Sequence, residues 1–203
     1  MKYIYLAFIA PNNKMGRFIR SATGTTYSHV AISLDISLDN MYSFGRRKRK
    51  AALVGGFVTE CSSQYCSNDD VPLKLTRIQL SDDSFTRLMS ILQDFKSRKD
   101  DLIYNSIDAV STSLFKKSVY IRDCFTCLSF CCYILGYRNV YSIPDFERRL
   151  ADSVVYIGSF RDYVSNPNLQ DPSYYEHMSL FKVVGLTFAH FGHLFMRLFK
   201  EYV

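Results

Sequence analysis

The chain has 203 residues, of which 48% are hydrophobic and 22% charged, and a formal net charge of +6. That length and composition support one buried core and exclude wholesale disorder. Much of the positive charge sits in one run, Arg46-Arg47-Lys48-Arg49-Lys50, and no uncharged stretch approaches the ~20 residues of a membrane-spanning helix.

The opening "MKYIYLAFIAPNNK" has an apolar part, Tyr3 to Ala10, at the short end for a secretion signal, and Pro11 follows at once. Its aromatic and β-branched residues predict a strand over 2–10 instead. With no export signal read there, the six cysteines are expected as reduced thiols. A cytoplasmic protein is expected, peripheral at most to a membrane. Residues 15–23 predict a short helix ending at Gly24. "SHVAISLD" (28–35) places His29, Ala31 and Ser33 on one face and Val30, Ile32 and Leu34 on the other, as in a half-buried strand. Residues 40–45 read as its hairpin partner, and the basic run as a solvated loop. Two more strands are expected at 55–61 and 72–80. Ser81 or Asp82 caps a helix through about Arg98, with Phe85, Leu88, Ile91, Leu92 and Phe95 at helical spacing.

A helix is expected at 104–115. A second runs from about 126 to a stop at Gly136, with Phe130, Ile134 and Leu135 toward the core. Residues 153–158 read as a last strand. The expected organisation is one domain over 1–164, a turn-rich linker over 165–176 and an amphipathic helix over 177–203. In that tail Phe181, Val184, Phe188, Phe191, Phe195 and Leu198 form the expected apolar face. Thr187, His190, His193, Arg197 and Lys200 form a ridge opposite. The face reads either as packing on the core or a second subunit, or as an interfacial membrane helix. His190 and His193 lack the i, i+4 spacing of a zinc pair.

Four cysteines crowd the segment "DCFTCLSFCCYILG" (123–136). Cys131 and Cys132 read as small core residues. Cys127 opens the helix, where Thr126 or Asp123 is a candidate cap and the helix N-terminus favours thiolate. Cys124, just before the helix, is the rival nucleophile. A Cys–His pair also needs an imidazole on a neighbouring rigid element, and His29 on its strand is the candidate. A four-cysteine zinc site from Cys61, Cys66, Cys124 and Cys127 is an alternative, and a redox pair at Cys124 and Cys127 is another.

"TGTTYSHVAISLD", "MYSFGR", "GGFVTE" and "CLSFCCYILG", in this order, resemble the circularly permuted NlpC-type papain-like cysteine hydrolases, relatives of the lecithin:retinol acyltransferase-like enzymes. The resemblance runs from about Lys2 to Tyr163. It implies an α+β fold, an antiparallel sheet packed against helices, here followed by the C-terminal amphipathic helix. It implies thiol-dependent peptidase, amidase or acyltransferase chemistry with no cofactor or metal. His29 and Cys127 fall on the family's catalytic positions. The imidazole-orienting role falls on Ser43 by position, with Glu60, one strand further on, as the alternative. Ser43 carries no charge to stabilise imidazolium. Leu128-Ser129 stands where the family has an acidic or amide residue. The competing class is a non-catalytic membrane- or protein-binding module on the same fold. The expected partner is a peptide, amide or acyl-lipid substrate. An anionic membrane, met through the tail and residues 46–50, and a homodimer are further candidates. Nucleic acid is not expected, because no aromatic platform interleaves with the basic run.

Overall fold

The computed structural model describes residues 1–66, 70–164 and 172–202. Strand β1 (Lys2–Ile9) sends Ile4, Leu6 and Phe8 into one apolar cluster and Ala7 and Ile9 into another. A strand buried on both faces reads as a continuous apolar run, which is why its sequence resembles a signal segment. The Asn13 side chain accepts from the Gly16 N–H at 2.8 Å to open α1 (Lys14–Thr23), and Gly24 closes it with φ 63°, a left-handed conformation that glycine adopts without strain.

Strands β2 (His29–Ser33), β3 (Met41–Arg46), β4 (Gly55–Glu60) and β5 (Pro72–Leu80) follow. Ser81 caps α2 (Asp82–Ser97) by accepting from the Ser84 N–H. Next come β6 (Ile103–Tyr104), α3 (Ser106–Phe115), β7 (Cys124–Phe125), α4 (Cys127–Leu135), α5 (Ile143–Arg149), β8 (Val154–Ser159), α6 (Phe160–Tyr163) and α7 (Leu180–Tyr202).

The strands form one mixed sheet of order β7-β6-β4-β3-β2-β1-β5-β8. The expected sheet was antiparallel throughout, and every pair is so except β6 and β7, which run parallel. The reason is the connection: α3 and the segment after it carry the chain back across, as parallel neighbours require. Two-residue strands carry too little pattern to be read from sequence.

Helices α2, α4 and α5 cover one face through Leu88, Leu92, Phe130, Ile134 and Phe146. Rings of Phe44, Phe57, Phe95, Phe125 and Phe130 meet there with centroids between 5.2 and 6.1 Å apart, in tilted and edge-on geometries that aromatic quadrupoles favour. Cys131 and Cys132 join this cluster as small core residues. The opposite face is covered by Tyr65, Val71, Phe160 and Val164.

A third, smaller cluster seats α7 against the β6–β7 edge through Leu194, Phe191 and Leu198, with Ile103, Ile121 and Cys124 beneath. This overturns the expected faces of the tail. Phe191 and Leu198 face the body, and so do Thr187, His190 and Arg197 from the expected polar ridge, all at least half-buried. Phe181, Val184, Phe188 and Phe195 remain exposed. Polar groups flank this apolar seat. His190 lies buried beside the Tyr104 backbone, and the Arg197 guanidinium reaches the Asp123 carbonyl at 3.5 Å and Cys124 Sγ at 3.9 Å. Among the described residues, no helix is long and apolar enough to cross a membrane.

Candidate active site

Three neighbouring strands bring the expected residues together. His29 opens β2, Ser43 lies within β3, and Glu60 ends β4. The Glu60 carboxylate is buried and meets the His29 imidazole edge-on, with Nε2 at 3.0 Å from Oε1 and 3.1 Å from Oε2. Ser43 Oγ donates to Glu60 Oε1 at 2.7 Å, and Tyr65 Oη donates to Oε2 at 2.8 Å. Ser43 and Glu60, alternatives for one position in the sequence, therefore act in series: Glu60 holds the ring and Ser43 holds Glu60. Gly45 makes room for this arrangement, since a Cβ there would stand 2.7 Å from Glu60 Oε1.

Cys127 is the first residue of α4. Thr126 is its cap, not Asp123, and forms a capping box. The Ser129 N–H donates to Thr126 Oγ1 at 3.0 Å, and the Thr126 N–H donates to Ser129 Oγ at 2.8 Å. Ser129 thus serves the helix start. Cys127 is buried and stands beside His29, whose pKa it raises. Because Nε2 is engaged by Glu60, Nδ1 is the ring nitrogen left for the sulfur.

The electrostatics follow from burial and from these partners. Burial opposes a charge on His29. The Glu60 charge and the hydrogen bonds with Cys127 and Glu60 outweigh it, and the pKa is pushed up to about 10. Burial likewise opposes the Glu60 charge, but His29 and the hydrogen bonds from His29, Ser43 and Tyr65 hold its pKa below the ordinary value. Burial and the Glu60 charge keep Tyr65 protonated, as a donor. The other thiols of the segment are held neutral. Burial pushes Cys131 well up and Cys132 to about 12, and raises Cys124 despite the nearby Arg197.

The zinc alternative finds no cluster. Cys66 points at the Phe160 carbonyl, Cys124 at Arg197 and Cys127 at His29, and among the described residues no three His, Cys, Asp or Glu groups assemble to hold a metal. Among the described residues no disulfide joins the cysteines.

The basic run is more than a solvated loop. Arg47 donates to the carbonyls of Lys99 and Leu102, the latter at 2.8 Å. Residues 174–176 of the expected linker lie over the run. The Arg49 N–H donates to the Tyr174 carbonyl at 2.9 Å, Lys48 pairs with Glu176 at 2.9 Å, and Arg49 covers the Tyr175 ring at 5.3 Å. The remainder of that linker, 165–171, falls outside the described residues.

Two site residues were missed by sequence reasoning. Tyr65 sits just beyond a single 3-10 turn, Ser62–Gln64, after Glu60, and only the turn brings its hydroxyl back. Tyr104, on β6, is kept protonated by burial and by its proximity to Cys127. Neither carries a local pattern that marks it. The chain matches no family model, no curated protein and no solved structure.

Proposed function

We propose that the chain is a cysteine hydrolase or acyltransferase with a permuted papain-like fold, cleaving an amide or ester through an acyl-enzyme. The observation that carries this reading is the line Cys127–His29–Glu60. In it a thiol at a helix start stands beside an imidazole whose Nε2 is gripped by a buried carboxylate. The order of its parts, a histidine strand ahead of a cysteine helix, supports the permuted form.

With its pKa near 10, His29 holds a proton at neutral pH beside Cys127, and the thiolate form of Cys127 attacks the substrate carbonyl. The capping box takes up the N–H groups of Thr126 and Ser129, leaving those of Cys127 and Leu128 to receive the oxyanion. His29 then gives its proton to the leaving amine or alcohol. It takes one back from water or from an acceptor alcohol or amine as the thioester is resolved. Glu60 keeps the ring in this orientation and stabilises its charge, while Ser43 and Tyr65 keep Glu60 ionised.

The test is labelling by an iodoacetamide probe at pH 7, with the modified residue located by mass spectrometry. Cys127 is expected to take the label, Cys127→Ser to abolish it, His29→Ala to slow it strongly, and Cys124→Ser to leave it nearly intact. Label that persists in Cys127→Ser and vanishes in Cys124→Ser overturns the assignment.

A further inference from the structure

Helix α7 wears its apolar side outward. Phe181 is 89% exposed, Phe188 75%, Phe199 64%, Tyr202 62% and Phe195 48%. At ~200 Å² per aromatic side chain these five leave on the order of 600–700 Å² of ring surface in water. An isolated soluble surface rarely carries more than a few hundred Å² of contiguous apolar area. The face is continuous along 23 residues, about 34 Å of helix, and the opposite side, with Leu194, Phe191 and Leu198, is already seated on the protein's own β6–β7 edge.

Cations line one edge of this face, and of these Lys182 is paired with Glu176 at 2.8 Å. Lys182 and Lys200 are 18 residues apart, which at 3.6 residues per turn is five whole turns. Both therefore stand at the same edge of the apolar stripe, and His193 lies exposed between them. Across the stripe, Tyr202 Oη donates to the Tyr120 carbonyl at 3.0 Å. This ties in the segment 116–122, which presents exposed Lys116, Lys117, Tyr120 and Arg122. Aromatic rings in the plane and cations around it match an anionic phospholipid surface, where rings enter the headgroup boundary and lysines meet phosphates. A second copy is the other occupant to test, and the mass in solution separates the two.

We propose that the outward face of α7, with the basic segment 116–122 beside it, docks the protein flat onto an anionic lipid surface. The helix lies in the interface without crossing it. This inference does not depend on the chemistry of Cys127.

The experiment is co-sedimentation of the full chain with vesicles of phosphatidylcholine containing 30% phosphatidylserine, against pure phosphatidylcholine. It is run at low and high salt, with mass in solution measured in parallel. The wild type is expected to be monomeric and to pellet with the anionic vesicles, less so at high salt. Phe188→Glu is expected to weaken binding by about tenfold or more. Lys117→Glu with Lys200→Glu is expected to weaken it by about fivefold per lysine at low salt and to flatten the salt dependence. Neither substitution touches the core, so circular dichroism and probe labelling of Cys127 should match the wild type. No binding to anionic vesicles overturns the proposal. So does a wild-type dimer that ignores vesicles and becomes monomeric in Phe188→Glu, because the face then belongs to a second copy.

Discussion

Replacing Glu60 with Gln tests the centre of the site with almost no change of shape. In the wild type three donors converge on one carboxylate: Oε1 accepts from Ser43 and His29, and Oε2 from Tyr65 and His29. A Gln side chain has one oxygen and one NH₂, so at least one of these donors must face another donor. Removing one partner from a buried charge pair costs about 3–5 kcal/mol. The lower end applies here, because the imidazolium can release its proton and both hydroxyls can rotate to accept. A loss of about 3 kcal/mol corresponds to a fall in Tm of roughly 6–12 °C for a chain of this size. It is well within the ~5–15 kcal/mol that holds such a domain folded. The second consequence is on His29 itself. With the Glu60 charge gone, burial becomes the dominant influence, and the pKa should drop from about 10 toward or below the ordinary histidine value. Urea unfolding at pH 7 gives the first quantity, and NMR titration of the histidine ring gives the second. An unfolding free energy within about 0.5 kcal/mol of wild type, together with a ring that still titrates near 10, would refute the electrostatic account of this site.

Ser43→Ala and Tyr65→Phe each remove one hydrogen bond to a charged acceptor. Each should cost about 1.5–3 kcal/mol in urea unfolding, with a smaller fall in the His29 pKa than Glu60→Gln produces. Stability should also bend at both ends of the pH range. The His29 pKa is raised, so its contribution is complete below about 6.5 and lost as pH rises through about 10. The Glu60 pKa is lowered, so its contribution is present above the ordinary carboxylate range and lost as pH falls through its depressed value. Denaturant midpoints measured across pH that stay flat in the alkaline limb would contradict the His29 assignment. Phe130→Ala empties the centre of the ring cluster beneath α4 and should cost about 3–5 kcal/mol. It should slow Cys127 labelling by loosening the helix that carries the thiol, whereas unaltered labelling in a destabilised variant would show that α4 is held by other contacts.

Much of the local structure was legible because it depends on neighbours along the chain. The alternation at 28–35, the Ser81 cap ahead of Phe85, Leu88 and Leu92, and the glycine stop at 136 each report on one strand or one helix. The candidate pair His29 and Cys127 could also be named in advance, from residue types and from the order of a strand and a helix start. What the sequence could not decide depends on what stands across space. Ser43 and Glu60 were interchangeable as partners of His29 until the β3–β4 pairing aligned Met41 with Glu60 and Gly45 left room for the carboxylate. Tyr65 carries no motif, and only a turn of three residues aims its hydroxyl at Glu60. The tail shows the limit most plainly. Its periodicity announces a helix with two unlike faces, but periodicity cannot say which face meets the protein. That was decided by the β6–β7 edge, which takes Leu194, Phe191 and Leu198 with Arg197 at the Asp123 carbonyl and Cys124, and leaves Phe181, Phe188 and Phe195 outward.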